Sequence, residues 1–157
     1  MIGGASQADV GVLVISARQG EFEAGFEKGG QTREHAMLAK TAGVKKLIVV
    51  INKMDTVGWS KERYDECITK LIPFLKGCGY NPKTDIEHMP ISGYTAANLK
   101  DRMDASVCPW YQGTSLLELL DSMALPVERN LAGALMIPIT EKFKVSRLFT
   151  HVLLQFF

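Results

Sequence analysis

The stretch that decides the fold is residues 47–55, LIVVINKMD, in which five apolar and mostly β-branched residues run directly into Asn52-Lys53-Met54-Asp55. A strand that is apolar at every position must be packed on both faces, which is the environment of a parallel sheet covered by helices on each side. Residues 10–17 (VGVLVISA) carry the same pattern and predict a second such strand. Between them, residues 31–42 predict a helix with Thr32 as its N-cap, Ala36, Met37, Leu38 and Ala39 as good formers, and Gly43 as its terminator. Together these pieces make one βαβ unit.

Downstream, Ser60 is placed to cap a helix whose apolar residues Tyr64, Cys67, Ile68, Leu71, Ile72 and Leu75 recur at spacings of three and four. Pro73 removes one backbone donor from that helix, and Gly77 and Gly79 end it. A third strand is expected over residues 87–91, after the Asn81-Pro82 turn, and a short closing helix over residues 116–123. Strands alternating with helices define the α/β class: a doubly wound, mostly parallel sheet with helices on both faces. The glycine-rich, charged stretch 20–30 (GEFEAGFEKGG) reads as a surface loop. Residues 126–133 read as a linker, and residues 136–143 alternate in a way that suits the opening of a β-type second domain. The expected division is therefore 1–130 for the α/β unit and 131–157 for the linker and start of the second, with an apolar tail over residues 148–157. That tail is a candidate to cover an unpaired edge of the sheet.

The whole chain has 157 residues, 46% hydrophobic and 22% charged, with 18 Lys+Arg against 17 Asp+Glu and a formal net charge of +1. Such a chain can bury a sizeable core, so disorder is excluded as its general state. The near-neutral balance lacks the electrostatic footprint of a phosphate-backbone binder, and no direct sequence-specific contact with nucleic acid is expected. Three cysteines, Cys67, Cys78 and Cys108, form neither a disulfide framework nor a paired metal-binding motif, which suits a reducing compartment. No run reaches the roughly 20 apolar residues of a membrane span. A cytoplasmic protein without a membrane role is the expectation.

In doubly wound sheets ligands sit outside the carboxyl ends of the strands, and that is where Asn52, Lys53 and Asp55 emerge. A carboxylate at Asp55 suits guanine, which presents a ring N–H and an exocyclic amine side by side, both able to donate to it. Adenine has an acceptor where guanine has its ring donor, so it would leave the carboxylate facing a lone pair. Asn52 can donate its amide to the ring N7 or tie the loop together, and the methylenes of Lys53 can lie along the base. Ser92 and Gly93 leave the end of the third strand and should reach the same edge of the sheet. Gly93 allows close backbone approach, with its N–H available to the guanine O6. A competing reading takes both strings as ordinary turn residues. His35 and His88 have no neighbours at metal or triad spacing, so no catalytic and no metal residue is assigned. The sequence also contains no GxxxxGK[ST] loop to cradle phosphates.

Read in order, MIGGASQAD (1–9), GEFEAGFEKGGQTREH (20–35), NKMD and PISG (90–93) resemble the translational GTPases of the elongation factor 1-alpha superfamily. Within it, GGASQAD, GFEKGGQTREHAMLAKTAGVKK and the CPWY string at 108–111 are most similar to the GTP-binding subunits of eukaryotic peptide chain release factors. The ribosome-rescue GTPases that partner pelota are a second choice and the elongation factor a third. The resemblance covers residues 1–144 and implies a partial P-loop-NTPase-like G domain. It also implies GTP or GDP as ligand, with Asn52, Lys53 and Asp55 specifying guanine and Ser92 and Gly93 as the backbone contact. It implies a magnesium ion and a phosphate loop whose residues have no counterpart here. The implied partners are a class I release factor and the ribosome. The expectation is a G-domain fragment without GTPase activity of its own. The alternative from another class is a non-catalytic module that displays loop 20–30 to a partner.

Overall fold

The computed structural model describes residues 8–26, 29–123, 139–144 and 150–154. The chain divides into two compact units, Met1–Pro126 and Val127–Phe157. In the first, the described elements run β1 (Val10–Ser16), α1 (Glu21–Phe26), α2 (Gln31–Thr41), β2 (Lys46–Asn52), a 3-10 turn (Met54–Val57), α3 (Lys61–Gly77), β3 (Ile86–Pro90) and α4 (Leu116–Ser122). In the second, β4 (Ile139–Lys144) and β5 (Thr150–Leu154) pair antiparallel. The apolar tail over residues 148–157 therefore contributes a strand to its own unit. The candidate linker 126–133 and residues 1–7 of the resemblance segment 1–9 lie outside the described residues.

The sheet of the first unit has the order β1-β2-β3 and is wholly parallel, with Val14 opposite Val50 and Val50 opposite Met89. Alternate residues of β2 feed two cores, as a strand apolar on both faces must. On one face Leu47, Val49 and Ile51 pack with Leu13 and Ile15 against Phe22, Ala36, Cys67 and Leu71 of the first three helices. On the other, Ile48 and Val50 meet Met89, Ile91 and the half-buried Leu116 and Leu119 of α4. Helices thus lie on both faces of an α/β sheet, as expected. On that second face β1 leaves Val12 and Val14 exposed.

Two local expectations are corrected. Helix α2 starts after Gly30 with no side-chain cap, so Thr32 lies inside the first turn and does not cap it. The stretch 20–30 is also more than a surface loop. Its first half is helix α1, because Phe22 and Phe26, four residues apart, stack at 5.6 Å and drive one face of the segment into the core. Phe22 is 1% exposed. By contrast, Ser60 caps α3 as read, its hydroxyl accepting from Arg63 N–H at 3.2 Å. Burial of Tyr64, Cys67, Leu71 and Leu75 follows the predicted stripe.

Candidate functional site

Strands β2 and β3 are hydrogen-bonded neighbours and parallel, so the loops that leave their carboxyl ends emerge side by side. The stitching between them is continuous. Ile91 N–H donates to Ile51 O at 2.9 Å and Met54 N–H donates to Ile91 O at 3.2 Å. Gly93 N–H donates to Asn52 Oδ1 at 2.8 Å. The same Oδ1 accepts from Lys53 N–H at 2.7 Å. Asn52 therefore ties the loops together, one of the two roles its chemistry allowed.

The backbone turns sharply at Lys53, whose φ of 63° lies in the left-handed region. The turn then closes through Thr56, whose N–H and hydroxyl both bond Lys53 O. Met54, fully buried, anchors it from below. From above, Trp59 O accepts from Trp110 Nε1 at 2.8 Å, and Trp110 packs on Tyr64. Within the CPWY string Cys108 is buried and Trp110 packs inward to hold the residue that follows the Asp55 turn.

Asn52, Lys53 and Asp55 line one cavity of about 380 Å³ with Gly93, and Arg18, Thr56 and Tyr94 complete its wall. Asp55 Oδ1 is buried and has no hydrogen-bond partner. A buried carboxylate oxygen left unpaired is costly to the folded chain. Lys53 Nζ does not project freely, because it pairs with Glu21 at 2.6 Å. That bond holds the Glu21 carboxyl down to about 2, against an ordinary value of 4.5.

The residues singled out from sequence do not all share one role. Ser92 is fully buried: its N–H donates to Ala97 O and its hydroxyl accepts from Thr95 N–H. It shapes the turn beneath the cavity and does not line it. The Gly93 N–H, read as available to a ligand carbonyl, is already engaged by Asn52. A Cβ at Gly93 would stand 3.4 Å from the Asn52 amide, an ordinary van der Waals contact, so the missing side chain is not what lets the two loops meet. Arg18 was missed, although the carboxyl-end rule applied to β1 would have singled it out. Glu21 and Arg63 were missed as well. Arg63, 7% exposed, bonds Ala17 O, Arg18 O, Glu23 and Glu66, and so fixes the end of β1 against α1 and α3. Glu21 meets Lys53 across 32 residues, and Arg63 meets Ala17, Arg18 and Glu23 across 40 to 46, so no local pattern marks them. His88 bonds Tyr64 through Nδ1 at 2.8 Å. Among the described residues no group of His, Cys, Asp or Glu side chains is arranged to hold a metal ion. None of the helices there is long and apolar enough to cross a membrane.

A parallel sheet whose carboxyl edge carries such a turn and cavity is the arrangement of a nucleotide-binding α/β domain, and comparison with known families agrees. The chain belongs to the family described as the elongation factor Tu GTP binding domain, which matches residues 1–126. It is 68% identical over 146 residues to the eukaryotic peptide chain release factor GTP-binding subunit of Candida albicans, covering 92% of this chain and 20% of that protein. The corresponding subunit of Schizosaccharomyces pombe is 64% identical over 147 residues, with 92% of this chain and 22% of that protein covered. The chain thus spans about a fifth of these relatives' length. Among solved structures, Sup35 complexed with GDP matches with a TM-score of 0.75 at 61% identity, over 97% of this chain and 37% of that one. The Ski7 GTPase-like domain of S. cerevisiae, bound to GDP and inorganic phosphate, matches with a TM-score of 0.61 at 28% identity, over 71% of this chain and 25% of that one.

Proposed function

We propose that this chain carries the guanine-recognising part of a translational GTPase of the release-factor type, with Asn52, Lys53, Asp55, Ser92 and Gly93 as its base site. The observation that carries this reading is the buried, unpartnered Oδ1 of Asp55 at a cavity shared with Asn52, Lys53 and Gly93. In it, Asp55 accepts the ring N–H and exocyclic amine of guanine, and the stem of Lys53 lies along the base. Asn52 ties the two loops together, and Ser92 shapes the turn beneath the base. Gly93 presents its backbone at the wall, where its N–H can be shared between Asn52 and a ligand carbonyl.

GTP and GDP are the ligands this reading implies, supported by the family and by the nucleotides bound to the Sup35 relatives. The part of the ligand these residues fit is the base. In the longer protein the domain would act with a class I release factor on the ribosome, in the cytoplasm; the release-factor names of its relatives support the first of these.

Titration of the chain with GDP, ADP and XDP tests the base site. GDP should bind more tightly than ADP, and Asp55→Asn should shift preference toward XDP, whose carbonyl accepts from the new amide. Binding that is indifferent to the base would refute the assignment.

A further inference from the structure

The cavity that Asp55 lines has two cations in its wall, Arg18 and Lys53, and both reach Glu21, three residues beyond Arg18 and far in sequence from Lys53. Arg18 follows β1, Glu21 opens α1, and Lys53 follows β2. Lys53 Nζ lies 2.6 Å from Glu21 Oε2, and Arg18 Nη1 lies 3.4 Å from Glu21 Oε1. Both cations line the cavity. Their charged ends are therefore gathered on one carboxylate, which leaves the methylene stem of Lys53 running from its left-handed backbone toward α1. A free lysine stem samples many rotamers, and fixing one before a ligand arrives removes an entropic cost that binding would otherwise carry.

Glu21 is itself held. It belongs to α1, whose Glu23 bonds Gly20 N–H at 2.6 Å and the buried Arg63 at 2.9 Å. Phe22, between them, is locked in the core. The carboxylate thus stands on a short helix fixed on both sides, while its exposed oxygens reach the loop after β2.

We infer that Glu21 is a positioning residue of the base site, which parks Lys53 and Arg18 so that the Lys53 stem is presented to a planar ligand. This rests on the base-site reading, and two arms separate the failure of one from the failure of the other. The first arm needs no ligand. In the 157-residue chain, NMR of the Lys53 side chain should show a restricted ε-methylene in the wild type, and Glu21→Gln should release it, while Glu23→Gln should not. An unchanged Lys53 signal in Glu21→Gln overturns the inference.

The second arm is a GDP titration followed by ligand-observed NMR. Glu21→Gln should weaken GDP by about fivefold, the range of a well-formed, partly exposed ion pair. Glu23→Gln should leave GDP affinity within about twofold, because its carboxylate serves Arg63 and not the cavity. In a Lys53→Met background Glu21→Gln should add little, since the group it positions is gone. Equal losses in the Glu21 and Glu23 variants, or additive losses in the double variant, overturn the positioning role. If the wild type binds no GDP at all, the Lys53 signal alone decides what Glu21 does.

Discussion

Asn52 Oδ1 accepts two backbone N–H groups at once, its own neighbour Lys53 at 2.7 Å and Gly93 at 2.8 Å from the next strand's loop. One side-chain oxygen thereby joins two loops that the chain separates by a helix and a strand. Removing it with Asn52→Ala should cost about 1–2 kcal/mol, since two backbone donors lose their partner. Asn52→Asp keeps the acceptor and should cost less. Thermal melts give the ranking, and faster amide exchange at Gly93 in the alanine variant locates the cause.

Asp55 shows the opposite economy. Its Oδ1 is buried without a partner, which destabilises the unliganded chain. Asp55→Leu should therefore leave thermal stability level or raise it, within about 1 kcal/mol, while abolishing any preference for guanine over adenine nucleotides. A loss of several kcal/mol would mean that the carboxylate holds the fold and not a ligand.

Arg63 is the buried cation on which the end of β1 depends. Its guanidinium serves two carbonyls and the carboxylates of Glu23 and Glu66. Arg63→Gln cannot reach all four and should destabilise by about 1–3 kcal/mol, read from urea unfolding at neutral pH. Because Glu66 is also paired with Lys70, the loss should come mainly from the β1 and α1 side.

Acid should act on the site through Glu21, held down to about 2 by its bond from Lys53. A carboxylate depressed in the folded state adds stability that is complete above its ordinary value of 4.5 and is lost as pH falls through the folded value. Following the Glu21 carboxyl by NMR should give a midpoint near 2 in the wild type. In Lys53→Met the midpoint should return toward the ordinary carboxylate range, because the largest cause of the depression is gone.

By itself the sequence determined the strands, the parallel α/β class, the Ser60-capped helix and the placing of Asn52, Lys53 and Asp55 at a carboxyl edge. These follow from local facts: unbroken apolar runs, a stripe at helical spacing and polar residues directly after a strand. The first half of loop 20–30 was misread because four glycines mask the Phe22–Phe26 pair, whose value is realised only against Arg63 and the core. Tertiary structure alone decided that Gly93 N–H belongs to Asn52, that Ser92 lies beneath the cavity, and that Lys53 is met by Glu21. Those bonds join residues 32 and 41 positions apart, and hydrogen-bond geometry is a property of where folded elements meet, which no local pattern of residues encodes.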